Sequence, residues 1–300
     1  MRKLALVFLA LVFLLSACAR PTPAPGEITD QLGRPIRLER PPQRIVSLSP
    51  SNTELLFALG LGDRVVGVTD YCDFPPEALK KPKIGGFSNP DLEKLVALSP
   101  DLIVADQIHV KEVIPELERR GLPVLALDPR NMDQVLESIR LLGQVTGKEA
   151  EAARLVEEMK IRTGGVAQKV AGLSPQERPR VLFITWHDPV WTAGKGTWHD
   201  QLITMAGGQN LLPELEGHKT VDLEVVLQRD PQVIIAGSGH GEALRQPYLW
   251  ALDEPRLKGT EALRKGRVYE INADIVSRPS PRLVEGLEEM LRLLHPELSR

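Results

Sequence analysis

Short apolar runs alternate with helix-like segments along nearly the whole chain. Residues 44–48, 65–68, 102–105 and 124–127 are aliphatic and β-branched stretches bounded by Gly, Pro, Asp or Ser, which read as buried strands. Between them, residues 54–59, 92–98 and 112–120 carry apolar side chains three or four apart and read as helices. The first of these has Ser51 or Asn52 as its cap and stops at Gly60. A longer helical stretch follows: residues 132–146 are amphipathic, and 148–162 are rich in Glu, Ala and Leu, with Gly164 and Gly165 weakening the far end. After Pro179 the alternation resumes, with strands expected at 181–184, 233–236 and 267–271, a helix at 201–205 and an amphipathic helix at 283–294. This rhythm predicts an α/β fold with largely parallel sheets.

The two halves echo each other. Asp91-Leu92-Glu93 leads through Pro100 to Ile103 and Ala105, and Asp222-Leu223-Glu224 leads with identical spacing through Pro231 to Ile234 and Ala236. The echo predicts two α/β lobes joined by a single long helix, with a ligand cleft between them, a favoured place for a small-molecule site. The expected layout is a lead-in over residues 18–40, an N-terminal lobe over 41–146, a linking helix over 147–172 and a C-terminal lobe over 173–300.

The amino terminus bears on location. Arg2 and Lys3 precede an unbroken apolar run from Leu4 to Leu15, too short for a bilayer span of roughly 20 residues but suited to a signal peptide over residues 1–17. Leu15-Ser16-Ala17-Cys18 then reads as a lipobox, with cleavage before Cys18 and lipidation of its thiol. Such an anchor holds a protein at a membrane without spanning it. Pro21, Pro23 and Pro25 make the next segment an extended tether. The expected location is extracytoplasmic. Cys72 is then the one remaining cysteine, so no intramolecular disulfide is expected.

Net charge is −3 and no basic stripe is present, which argues against a nucleic-acid partner. Enzymatic motifs are weak. Gly237-Ser238-Gly239-His240-Gly241 lacks full dinucleotide-loop spacing, Gly194-Lys195-Gly196-Thr197 is not a phosphate loop, and the histidines show no zinc spacing. No catalytic residue and no cofactor are expected.

Ser47-Leu48-Ser49-Pro50-Ser51-Asn52-Thr53-Glu54, followed by Gly60-Leu61-Gly62-Asp63, resembles the start of cobalamin- and siderophore-type periplasmic binding proteins, as does the run from Gly85 to Glu93. The similarity spans residues 44–294. The segment from Thr69 to Ala78 and the segment Trp191-Thr192-Ala193-Gly194-Lys195-Gly196-Thr197 look most like the cobalamin-binding branch. The resemblance implies a substrate-binding lipoprotein of an ABC importer, a monomer that captures a cobalamin-type corrinoid and delivers it to a permease dimer with its ATPase subunits. It also implies that Glu93 and Glu224, one on each lobe, pair with permease arginines. Tyr71 and the segment Asp274, Ile275, Val276, Ser277 and Arg278 would contact the corrinoid, although Ile275 and Val276 stand where the family pattern has aromatic residues. A ferric siderophore or heme is the alternative cargo within the same superfamily.

A corrin is broad and largely apolar with amides at its rim, so it calls for flat aromatic walls and a few polar groups. Tyr71, Phe74 and Phe87 in the first lobe, and Trp186, Trp191, Trp198 and Trp250 in the second, fall in expected loops and are candidate walls. Arg278 is a candidate donor to amide or phosphate oxygens, or else a member of an internal ion pair. His187 is a candidate cobalt ligand or a hydrogen-bonding loop residue. Cys72 reads as a buried small hydrophobe, a wall residue or a soft ligand. The recognisable cleft loops offer Arg278 and Lys195 as their main cations, which favours a near-neutral cargo over an anionic siderophore.

Overall fold

A computed structural model describes residues 27–238 and 246–299. The signal segment, Cys18, the proline-rich tether and residues 239–245 lie outside the described residues. The chain begins with an antiparallel ribbon, β1 (Glu27–Thr29) with β2 (Pro35–Arg37). Asp30 fixes it to the first lobe. One carboxylate oxygen accepts from the Leu32 and Arg34 amides, and the other accepts from Ala126 N–H at 3.2 Å.

The first lobe is a four-stranded parallel sheet of β3 (Ile45–Ser47), β4 (Val65–Val68), β5 (Leu102–Asp106) and β6 (Val124–Leu127), in the order β4-β3-β5-β6. Strands β3 and β6 are buried along their whole length, which is why they read as continuous apolar runs rather than alternating ones. Helices α1 (Pro50–Ala58), α2 (Leu92–Ala97) and α3 (Val113–Arg119) connect them. Helix α1 starts earlier than its apolar pattern implies. Its cap is Ser49, whose hydroxyl accepts from Asn52 N–H at 3.2 Å, and Pro50 occupies the first turn, where its missing N–H costs nothing.

Helix α4 (Met132–Thr146) matches its expected bounds: Asn131 caps it, and Gly147 ends it in the left-handed conformation, φ 71°. Helix α5 (Glu149–Val170) runs straight through Gly164 and Gly165. Packing overrides propensity there, because Val166 and Val170, just beyond the glycines, are buried. The buried stripe of α5 (Ala152, Val156, Met159, Val166, Val170) belongs to one apolar core with Val135, Ile139 and Leu142 of the first lobe and Leu287 and Met290 of the second. Gly143 permits the close approach of α4 to α5, since a Cβ there would lie 2.5 Å from that of Ala152.

The second lobe contains β7 (Arg180–His187), β8 (Val190–Ala193), α6 (Trp198–Met205), β9 (Gln209–Asn210), β10 (His218–Thr220), α7 (Leu223–Arg229) and β11 (Val233–Ser238). It continues with α8 (Gln246–Asp253), α9 (Glu261–Arg264), β12 (Val268–Asn272), α10 (Ala273–Ser277) and α11 (Leu283–Leu294). The sheet order is β10-β8-β7-β11-β12, with β9 also beside β7. Strands β7, β11 and β12 are parallel, whereas β8 and β10 add an antiparallel edge. Helix α6 begins at Trp198 because Thr197 caps it, accepting from Asp200 N–H. No described helix is long and apolar enough to cross a membrane.

Candidate functional site

The carboxyl ends of parallel strands in both lobes converge on a cavity of about 970 Å³, at the upper end of the usual size for a small-molecule site. Ser49, Pro50 and Ser51 enter it from the turn after β3, and Asp70, Tyr71 and Asp73 from the loop after β4. Phe87, Ser88 and Asn89 come from the loop before α2, and Asp106 from the end of β5. Across the cleft, Ser277 ends α10 after β12, and Arg278 and Pro279 follow it.

Among the described residues, the charges lining this cavity are mostly acidic, and Arg278, the one lining cation, is fully engaged. Arg278 Nη1 donates to Asp73 at 2.6 Å and to Glu54 at 3.1 Å, and its Nη2 lies 2.9 Å from Asp274. Burial alone would lower the Arg278 pKa, but these carboxylates outweigh it and hold the group above its ordinary value. Burial likewise pushes Asp73 up, yet the hydrogen bond and charge of Arg278 leave it below its usual range. Glu54 goes the other way. Burial raises its pKa more than Ser280, Arg282 and Arg278 lower it. Asp106 is also raised, chiefly by burial.

Behind the aromatic wall stands His109, fully buried. Its Nδ1 accepts from the Asp106 amide at 3.0 Å, so Nε2 carries the hydrogen and donates to the Phe87 carbonyl at 2.7 Å. The rings of His109 and Phe87 meet edge to face, with centroids 5.6 Å apart. His109 thereby fixes the loop that presents Phe87.

The cavity brings together four of the residues expected from the sequence: Tyr71, Phe87, Ser277 and Arg278. Tyr71 is the most exposed of them, at 62%. Cys72 is not a wall residue. Its side chain is buried in the first-lobe core, where Thr53 donates to Sγ at 3.1 Å, because adjacent residues of this turn point to opposite sides. Val276 is likewise fully buried on the inner side of α10, Ile275 packs against the core, and Asp274 is committed to Arg278. Phe74 stays partly exposed under the Arg282 guanidinium, 3.9 Å from its ring centre, and does not line the cavity.

The second-lobe aromatics occupy regular elements rather than loops. Trp198, in the first turn of α6, packs against the main core, and Trp250, on α8, packs against the second-lobe core. Trp186 and Trp191 are cross-strand partners in the β7–β8 hairpin, both partly exposed. His187 lies between Trp186 and Trp250, with centroids 4.7 and 6.2 Å away. This cluster sits at the carboxyl end of β7, the same edge of the sheet from which the Ser277–Pro279 segment leaves β12. None of its members, nor Lys195, lines the cavity itself. Among the described residues, no cluster of metal-ligating side chains is present.

Glu93 and Glu224 are exposed in the first turns of α2 and α7. The echo extends to the backbone, since Ser99 and Asp230, each just before the proline that leads to a strand, both have φ 47°.

The periplasmic binding protein family profile matches residues 45–275. The chain belongs to that family. Its relatives include the uncharacterized ABC transporter substrate-binding lipoprotein YvrC of Bacillus subtilis, 31% identical over 279 residues, covering 91% of this chain and 86% of YvrC. Among solved structures, the vitamin B12 binding protein BtuF of Vibrio cholerae superposes with a TM-score of 0.73 at 27% identity, over 87% of this chain and 99% of BtuF. The heme-binding protein RhuT of Roseiflexus superposes with a TM-score of 0.75 at 26% identity, over 86% and 99%. This binding protein is therefore the substrate-binding component of an ABC transporter, a solute binder rather than an enzyme. It acts outside the cytoplasm, and proteins of this class work with a permease and an ATPase.

Proposed function

We propose that this binding protein captures a cobalamin-type corrinoid between its lobes and, anchored by a lipid on Cys18, delivers it to a dimeric permease through Glu93 and Glu224. The observation that carries the cargo assignment is the charge of the cleft. Among the described residues its single lining cation, Arg278, is held by Glu54, Asp73 and Asp274, and Asp70 and Asp106 also face the cavity. Anionic siderophores would meet repulsion there, whereas a near-neutral, amide-rimmed macrocycle would meet aromatic faces, serines, Asn89 and carboxylate acceptors. Similarity to BtuF supports this reading. Two exposed acidic knobs at equivalent points of the two lobes suit two equivalent basic sites on a symmetric partner, where such charges steer and orient docking.

Heme is the second reading. It is favoured by the exposed phenol of Tyr71 as an available axial ligand and by the similarity to RhuT. Calorimetric titration of the chain from Gly26 onward with cyanocobalamin, cobinamide, hemin and a ferric siderophore separates them. One-to-one corrinoid binding with silent controls is the expected result. Heat from hemin alone, with a Tyr71-dependent Soret band, would replace the corrinoid reading with the heme one.

A further inference from the structure

We infer that Glu54 is a positioning residue for ligand capture: from the first lobe it ties down residues 278–282 of the second lobe and so sets the aperture of the cleft before any ligand arrives. Glu54 sits on α1 and is only 3% exposed. Its Oε2 accepts from the hydroxyl of Ser280 at 2.6 Å, and its Oε1 accepts from Arg278 at 3.1 Å and Arg282 at 3.4 Å. All three donors belong to the other lobe. Two more contacts cross at the same place, Arg278 to Asp73 and Arg282 over the Phe74 ring. Ser280 is fully buried, and Pro279 and Pro281 on either side of it restrict the local backbone.

The physical consequence is an all-or-none contact. The lobes already share the apolar core around α5, and Gln201 of the second donates to the Arg130 carbonyl of the first at 2.7 Å. The attachment between α1 and the α10–α11 connection adds a further constraint on their rotation, at the cavity itself. Separating the lobes would break all three of these hydrogen bonds at once. Because Ser277, Arg278 and Pro279 line the cavity, the same contact that holds the lobes also places one wall of the site.

The test uses the full mature chain in detergent, carrying spin labels on the two lobes at Arg119→Cys and Lys258→Cys, both exposed. Interlobe distances are measured by electron–electron double resonance, and cyanocobalamin affinity is measured alongside. The parent is expected to give a narrow distribution without ligand. Glu54→Gln should broaden it and weaken cyanocobalamin at least tenfold, with thermal unfolding still cooperative. Arg282→Gln should broaden it too, and the double variant should be less than additive. Ser280→Ala, a milder change, should broaden it to an intermediate degree. Unchanged distances in Glu54→Gln, or in Ser280→Ala should the first variant not fold, would overturn the role of Glu54. A parent that fails to bind cyanocobalamin would overturn the corrinoid reading instead, and the distance comparison would still decide the role of Glu54.

Discussion

The two lobes share a supporting framework and differ at the face they present to the cleft. In both, a short helix begins Leu-Glu, a residue at φ 47° and a proline follow, and a parallel strand comes next. The first lobe then builds its wall from loops that carry Tyr71 and Phe87 among several aspartates. The second places Trp186, His187 and Trp191 on a hairpin and sends the Arg278 segment out of a helix. The difference separates two requirements. On the proposed function, a symmetric partner needs equivalent contact points, which the matched glutamates would supply, and an asymmetric ligand needs unlike walls, which the two cleft faces would supply.

The comparison breaks most sharply at the glutamates. Glu93→Lys with Glu224→Lys is expected to abolish transport in a reconstituted importer while leaving ligand affinity unchanged, and the single variants should fall between. Loss of affinity in the double variant would place these residues in the site instead. Next in size is the contrast between walls. Tyr71→Ala should weaken ligand by about tenfold or more, on the order of 1–2 kcal/mol for a lost aromatic face, and Trp191→Ala by less, because Trp191 lies outside the cavity. Equal losses in titration would show that the hairpin closes over the ligand.

The carboxylates at the lobe contact give opposite pH slopes. The native pKa of Asp73 lies below its ordinary 3.8, so its stabilising contribution is complete above that value and is lost as pH falls through the lowered native value. The native pKa of Glu54 lies above its ordinary 4.5, so ionising it costs stability as pH rises from 4.5 through the raised native value. Glu54→Gln should therefore remove a decline in Tm above pH 4.5 that Asp73→Asn leaves in place, as scanning calorimetry across that range would show. The smallest effect concerns the helix between the lobes. Gly164→Ala has open space around its Cβ and should stabilise by about 0.5–1 kcal/mol in urea titration without altering affinity. A change in affinity would tie the glycine to lobe motion.

The α/β alternation, the long helical middle and the twin Asp-Leu-Glu starts were legible in the sequence because strand and helix periodicity are local properties of the apolar pattern. Tyr71, Phe87 and Arg278, singled out from the aromatic residues and the family resemblance, line the cavity. What the tertiary structure alone decided is how these groups are used. Cys72 adjoins Tyr71 in sequence yet turns into the core, and Val276 adjoins Ser277 yet does the same. Glu54 lies in the run Thr53-Glu54-Leu55-Leu56, where a lone carboxylate among buried residues was the one available hint of a partner. That partner stands more than two hundred residues away, on the other lobe. Local pattern assigns elements and faces, whereas the pairing of a buried charge depends on which distant segments the packing brings within hydrogen-bond reach. Which carboxylates surround Arg278 therefore became visible only when the lobes came together.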